Sequence, residues 1–359
     1  MIIILAMMAW EATHLMHGFF SPVEWLRDFA ELLFLMIVMS MNLRGFAYQR
    51  IIRVFALATV GICAIMLWMQ LDLNNYQVLR MFYSGTSFFR FGNYNMEADR
   101  FAVNFNPNGL GMMCNVATAG LLILYKRAEH RKTDLAMMLL LVLFGSMTLS
   151  KTYYVVLALI FVMIMIVGGK KKFQRNVQIL GILLLIVLLI AWLFPEIFAT
   201  AWRRMMETDS FSHRDVLFVF YVKHILSSVS NLLFGIGAQS LPDKIFDIYG
   251  YRYDMPHNSI QEVWCAWGLV GVIMLGYLLY HLVRRSKFFA GEGRRSYHYL
   301  PFVVLLCSSM AGQLITSGRG LMMLVFSYLC LCIPVSEQAP QDPPSACPAE
   351  NVSAQRDTN

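Results

Sequence analysis

Long apolar stretches, repeated from one end of the chain to the other, constrain this fold more than any other feature. Ten of them, of about 15–24 residues, cover 2–20, 29–43, 54–71, 107–125, 135–149, 153–167, 177–194, 259–282, 300–316 and 321–335. A helix rises about 1.5 Å per residue, so stretches of this length suit a hydrocarbon core of about 30 Å. Strands of a membrane barrel would alternate apolar and polar residues, and these stretches do not. Hydrophobic residues make up 58% of the 359 positions and charged residues 14%, more apolar surface than a soluble core needs. The expected fold class is all-α: a polytopic membrane protein of about ten transmembrane helices. The first stretch can direct insertion itself, so no cleavable signal is needed.

Lysine and arginine in the short loops orient such a bundle. Alternate loops carry Arg44, Arg50 and Arg53; Lys126, Arg127, Arg131 and Lys132; Lys170, Lys171, Lys172 and Arg175; and Arg284, Arg285, Lys287, Arg294 and Arg295. These loops are expected in the cytoplasm. The opposite set, 21–28, 72–106, 150–152, 195–256 and 317–320, is then expected outside, with both termini inside. Residues 1–335 read as one membrane domain. Residues 336–359, rich in Pro, Ser, Gln and Ala with no apolar period, read as a disordered cytoplasmic tail.

The net charge of +7 is carried by these orienting loops and is no sign of nucleic-acid binding. Of the seven cysteines all but Cys347 lie in apolar stretches, which argues against a disulfide framework and a metal site. Cys330 and Cys332, spaced as C-x-C inside a span, read as small packing residues. No glycine-rich phosphate loop follows a strand, and no cluster of metal ligands stands in the outer loops.

The longest polar stretch, 195–257, lies between the seventh and eighth spans. Within it, 215–234 reads as one helix lying in the membrane interface. Its apolar positions include Val216, Val219, Phe220 and Leu226, while Lys223, Ser227 and Asn231 share the opposite face. Asn258 and Ser259 are cap-type residues before the next apolar run, so His257 stands where that helix opens. Four basic groups fall at outer span ends: Lys151, Arg214, His257 and Arg319. A charge at a membrane boundary needs water or a partner. An arginine fork suits the oxygens of a diphosphate. The same residues taken singly fit interfacial anchors, and a histidine at a helix start fits a structural hydrogen-bonder. Arg100 opens a run into Asn106-Pro107-Asn108, where a proline in the first helical turn is good local physics. Glu11, His14 and His17 recur at i, i+3 and i+6 in the first span, spaced to line a cavity or to face the outer boundary.

These motifs resemble those of the O-antigen ligase/polymerase superfamily of bacterial envelope glycosyltransferases. The family's histidine motif is a His, then Asn, Ser or Gln, nine residues, Gly, two residues and Gly. Here it is His257, Asn258, 259–267, Gly268 and Gly271. Its arginine helix, running to a Gly-x-Gly, is matched by Arg214 through Gly235-Ile236-Gly237. Its Asn-Pro-Asn is matched by Asn106-Pro107-Asn108, and its Ser-Arg-Thr turn by Ser150-Lys151-Thr152, with Lys in place of the more usual Arg. Val272 stands where the ligases tend to have Gly, Thr or Tyr.

The resemblance implies a GT-C-like fold, with 195–257 as an outer catalytic loop on a bacterial cytoplasmic membrane. It implies transfer of a glycan from a polyprenyl diphosphate to the hydroxyl of an acceptor glycan, without metal or other cofactor. Within it, His257 and Arg214 are the catalytic candidates, and Arg214, Lys151, Arg319 and Arg100 the diphosphate-binding ones. A polymerase is the expected activity; a ligase using lipid A core or a protein is the near alternative. A flippase of lipid-linked sugars, which would place charges at mid-membrane, is the alternative of another class. A flippase and a chain-length regulator are expected partners of a polymerase.

Overall fold

The computed structural model describes residues 2–14, 22–71, 94–98, 101–105, 107–166, 214–238, 241–250, 256, 258–291, 296–310 and 318–334, with single positions 192 and 199. A helix stands at each expected span position except 177–194, of which only position 192 is described. The helices that follow the apolar pattern are α1 (Ile2–His14), α2 (Pro22–Ser40), α3 (Tyr48–Leu71), α4 (Pro107–Lys126), α5 (Lys132–Met147) and α6 (Lys151–Ile166). The long polar stretch contributes α7 (Arg214–Ile225), α8 (Val229–Leu233) and α9 (Leu241–Tyr249). The chain then enters α10 (Ser259–Ala290), α11 (Leu300–Ser309) and α12 (Gly318–Leu331).

Among the described residues, three helices are long and apolar enough to cross a membrane: Tyr48–Leu67 of α3, all of α4, and α10. The other apolar helices described are shorter. Nine of the ten expected positions thus hold a described helix, three of them of crossing length, and the count of ten is not confirmed. The described part of the chain is helical but for one antiparallel hairpin, β1 (Tyr94–Ala98) with β2 (Phe101–Phe105), paired from Tyr94 opposite Phe105 to Ala98 opposite Phe101. It lies in 72–106, read from sequence as an outer loop. A connection of two residues suffices for such a hairpin, and in β2 aromatic and β-branched residues take every second position. Arg100 belongs to that connection and lies outside the described residues.

The bundle is built around α4. Every residue from Leu110 to Leu124 is buried, as expected of a helix apolar on all sides. Its small residues let neighbours close in: a side chain at Gly120 would strike the ring of Phe326, which itself stacks on Phe55 with centroids 4.0 Å apart. Around it pack α3, α5, α6, α11 and α12. The outer helices carry apolar residues on both faces. In α3, Ile52, Ala56, Cys63 and Met66 point into the core, whereas Val54, Leu57 and Ile65 are exposed. Water would penalise that second face and lipid does not.

Polar contacts tie the helix ends expected in the cytoplasm. Arg53 meets the carboxylate of Asp134 at 3.0 Å, and the same carboxylate accepts from the Arg131 backbone N–H at the start of α5. Glu129 accepts from the Tyr48 hydroxyl and pairs with Arg127, whose other arm reaches the Pro334 carbonyl. Basic residues that orient the bundle thus also fasten α3, α4 and α5 together.

The polar stretch folds into its own small core, Leu217, Tyr221, Ile225, Leu241 and Ile245, against Cys265 of α10. The single interfacial helix expected over 215–234 is corrected: it stops at Ile225 and restarts at Val229. Ser228 is extended and caps the restart, its hydroxyl accepting from the Asn231 backbone N–H at 3.0 Å. Ser227 and Asn231 therefore do not continue the face of Lys223. The Asn231 amide instead donates to the Ser227 hydroxyl and the His224 carbonyl across the turn.

Candidate active site

The start of α10 is made as its cap residues suggest. Asn258 is extended, and its side-chain oxygen accepts from the backbone N–H groups of Ile260 and Gln261 at 3.0 and 3.2 Å. The Gln261 amide donates to the Phe218 carbonyl, tying this first turn to α7. His257, one residue before the cap, lies outside the described residues.

Three turns on, α10 breaks at Gly268, which has φ 66° and ψ −167°. That conformation is open essentially to glycine alone. A residue out of helical geometry interrupts the hydrogen-bond ladder around it, so carbonyls just before it need other donors. Three are supplied from elsewhere in the chain. The Cys265 carbonyl accepts from the Ile236 N–H at 3.0 Å and the Ala266 carbonyl from the Gly237 N–H at 2.7 Å. The Trp267 carbonyl accepts from the Trp10 indole N–H at 3.2 Å.

The Gly-x-Gly after α8 is thus docked main chain to main chain on the break in the histidine-motif helix. Both glycines have positive φ, 75° at Gly235 and 86° at Gly237. A Cβ on Gly235 would run into the Ala266 carbonyl, and one on Gly268 into the Leu233 carbonyl and the Phe234 nitrogen. Two motifs separate in sequence are two halves of one joint. Gly271 is different: a Cβ there would meet the Trp267 side chain of its own helix.

The last turns of α1 clamp this joint. Glu11, buried, accepts from the Trp267 indole N–H and from the Ala238 backbone N–H. His14 bridges its own Trp10 carbonyl and the Phe234 carbonyl, each at 3.0 Å. Buried Lys244 of α9 donates to the Ile236 carbonyl at 2.8 Å. Burial holds the Lys244 ammonium below the ordinary lysine range, partly opposed by the negative charge of Glu11. Burial likewise pushes the His224 imidazole below its ordinary value, and its Nδ1 lies 3.0 Å from the Tyr249 hydroxyl. Of the histidine face noted in the first span, Glu11 and His14 join the clamp, while His17 lies outside the described residues.

Glu11→Ala would leave the buried Trp267 indole and the half-buried Ala238 N–H without their acceptor and is expected to cost about 1–3 kcal/mol. Glu11→Gln keeps an acceptor oxygen and should recover part of that. Thermal unfolding of the purified protein in detergent measures both, and an alanine variant that melts like the parent would show that the clamp contributes nothing.

A second corner joins two further motifs. The Ser150 hydroxyl donates to the Asn108 side-chain oxygen at 2.8 Å, bringing the Asn-Pro-Asn entry of α4 to the Ser-Lys-Thr entry of α6. Lys151 follows as the first residue of α6, half-buried. Arg214 is the first residue of α7 and Arg319 lies in the first turn of α12; the side chains of both are outside what is described. The structure therefore brings together Asn108 with Ser150, and Gly235 and Gly237 with Gly268. Arg100, His257 and the side chains of Arg214 and Arg319 lie outside the described residues.

Sequence reasoning missed Trp10, Lys244 and Trp267, and left the role of Glu11 open. A carboxylate inside an apolar helix was the available signal for Glu11, since such a charge needs a buried partner. Nothing local marks the two tryptophans, whose partners are 256 and 257 residues away.

The family model for O-antigen ligases matches residues 136–276. No curated protein and no solved structure matches the chain. The matched segment runs from α5 through both docked glycine motifs and includes Lys151, Arg214 and His257. This match supports a place for the chain in the O-antigen ligase/polymerase superfamily.

Proposed function

We propose that the chain is a membrane glycosyltransferase that joins polyprenyl-diphosphate-linked oligosaccharide units at the outer face of a bacterial cytoplasmic membrane. The observation that carries this reading is the joint at Gly268. The arginine-helix and histidine motifs that mark the family are fastened together there by main-chain bonds. Arg214 binds the leaving diphosphate, with Lys151, Arg319 and Arg100 as further cations, and offsets the charge that grows as the glycosidic bond breaks. His257 takes the proton of the acceptor hydroxyl as that oxygen attacks the anomeric carbon. Basic side chains neutralise the leaving group, so the mechanism calls for no metal.

Polymerase is the favoured acceptor choice because Val272 departs from the ligase pattern. Ligase activity is the second reading, since the matching family model is that of the ligases. Surface glycan from a deletion strain tests them. Single repeat units attached to the cell mean polymerase, and normal chains left unattached mean ligase. Lipid-linked units accumulating in the cytoplasm would instead mean a flippase and overturn the proposal.

Lys151 provides a further check. If its role is charge toward a diphosphate, Lys151→Arg retains activity and Lys151→Ala loses most of it. Normal chain length in a strain carrying the alanine variant would reduce Lys151 to an interfacial anchor.

A further inference from the structure

A cleft of about 570 Å³ opens between the last turn of α1, the Gly-x-Gly loop and α9. Of the proposed diphosphate-binding residues, Lys151, whose side chain is among those described, does not line it. One wall is aromatic: the rings of Trp10 and Phe234 stand 5.8 Å apart, and Phe234 is half exposed. The rest of the lining is largely polar and includes Lys244, exposed Asp247 and Asn231. The volume falls in the ordinary range of small-molecule sites, about 300–1,000 Å³.

The chemistry of the walls narrows the occupant. A diphosphate needs an excess of cations, but among the described lining residues the Lys244 ammonium already donates to Ile236 and is offset by Asp247 in the cleft and Glu11 behind it. A lipid tail would strip water from Asp247 and Asn231 without replacing their hydrogen bonds, which is costly. A neutral polyhydroxylated ring satisfies both kinds of lining. Its C–H face lies on the indole and phenyl rings, and its hydroxyls bond the carboxylate, ammonium and amide.

We propose that this cleft is a saccharide subsite for the glycan being joined, distinct from the diphosphate site. The proposal rests on the glycosyl-transfer reading above. The floor of the cleft is the loop whose N–H groups hold the broken end of the histidine-motif helix. A sugar seated there is therefore registered against that helix through main-chain bonds.

The test uses the full chain in lipid nanodiscs. The probe is the soluble oligosaccharide repeat of the source organism, freed of lipid and phosphate. Calorimetry reads binding, and transfer from intact lipid-linked donor is measured in parallel. The repeat is expected to bind the parent protein. Asp247→Ala and Phe234→Leu should each weaken binding at least tenfold with unchanged melting temperature, and inorganic pyrophosphate should not displace the repeat. Absence of binding, parent-like affinity in both variants, or displacement by pyrophosphate would overturn the subsite. The two readings fail separately. Transfer by the parent that persists at unchanged acceptor KM in Asp247→Ala overturns the subsite alone, whereas absence of transfer by the parent overturns the glycosyltransferase reading.

Discussion

Gly268→Ala is expected to abolish the folded joint, while Gly276→Ala, two turns further along the same helix, leaves the protein intact. Gly268 has φ 66° and ψ −167°, a region that costs a residue with a Cβ about 1–3 kcal/mol in backbone strain alone. The added methyl would also overlap the main chain of Leu233 and Phe234. Main chain cannot swing aside as a side chain can, so the Gly-x-Gly loop would have to leave α10. The Cys265 and Ala266 carbonyls would then lose the N–H groups of Ile236 and Gly237. Strain, overlap and buried unpaired carbonyls together exceed about 4 kcal/mol, the range in which single substitutions unfold marginal proteins. Gly276 has open space where a Cβ would lie. Alanine there should be neutral or slightly stabilising, by up to about 1 kcal/mol. Thermal unfolding in detergent compares the two. If Gly268→Ala melts within a few degrees of Gly276→Ala, the main-chain joint is not what holds these motifs together.

His257→Ala is expected to lower turnover by roughly 10²–10⁴-fold, the usual loss on removal of a general base, with donor binding little changed. Arg214→Ala should fail differently, weakening donor binding as well as transfer. Arg214→Lys should recover only part, because a point charge replaces a two-pronged donor. A protonated imidazole cannot accept a proton, so activity that depends on His257 should fall as pH drops through the ring's pKa, ordinarily about 6.5. Chelator should leave all of these rates unchanged. The measurements are donor binding and turnover on purified protein with a lipid-linked glycan, at two pH values, with and without chelator. Normal turnover in His257→Ala would make the histidine a structural residue ahead of the Asn258 cap. Inhibition by chelator would sink the metal-free mechanism even if both residues proved essential.

The apolar stretches determined by themselves where helices stand, because a run of that composition has one favourable state in lipid: every backbone group bonded within the helix. The Asn258 cap and the proline start of α4 were legible for a similar reason, since each acts within a turn of itself. The glycines of the two motifs were visible as residues, but not why they must be glycine. That was decided by an approach of main chain to main chain between segments about 30 residues apart, which leaves no periodic trace. The expected interfacial helix failed at Ser228 because a local side-chain cap competes well with a weak helical period. Glu11 shows the limit most plainly. Its sequence spacing fitted a cavity lining and the outer boundary equally, and only the folded bundle chose Trp267 and Ala238, because burial of a carboxylate is settled by whichever donors the packing brings within reach.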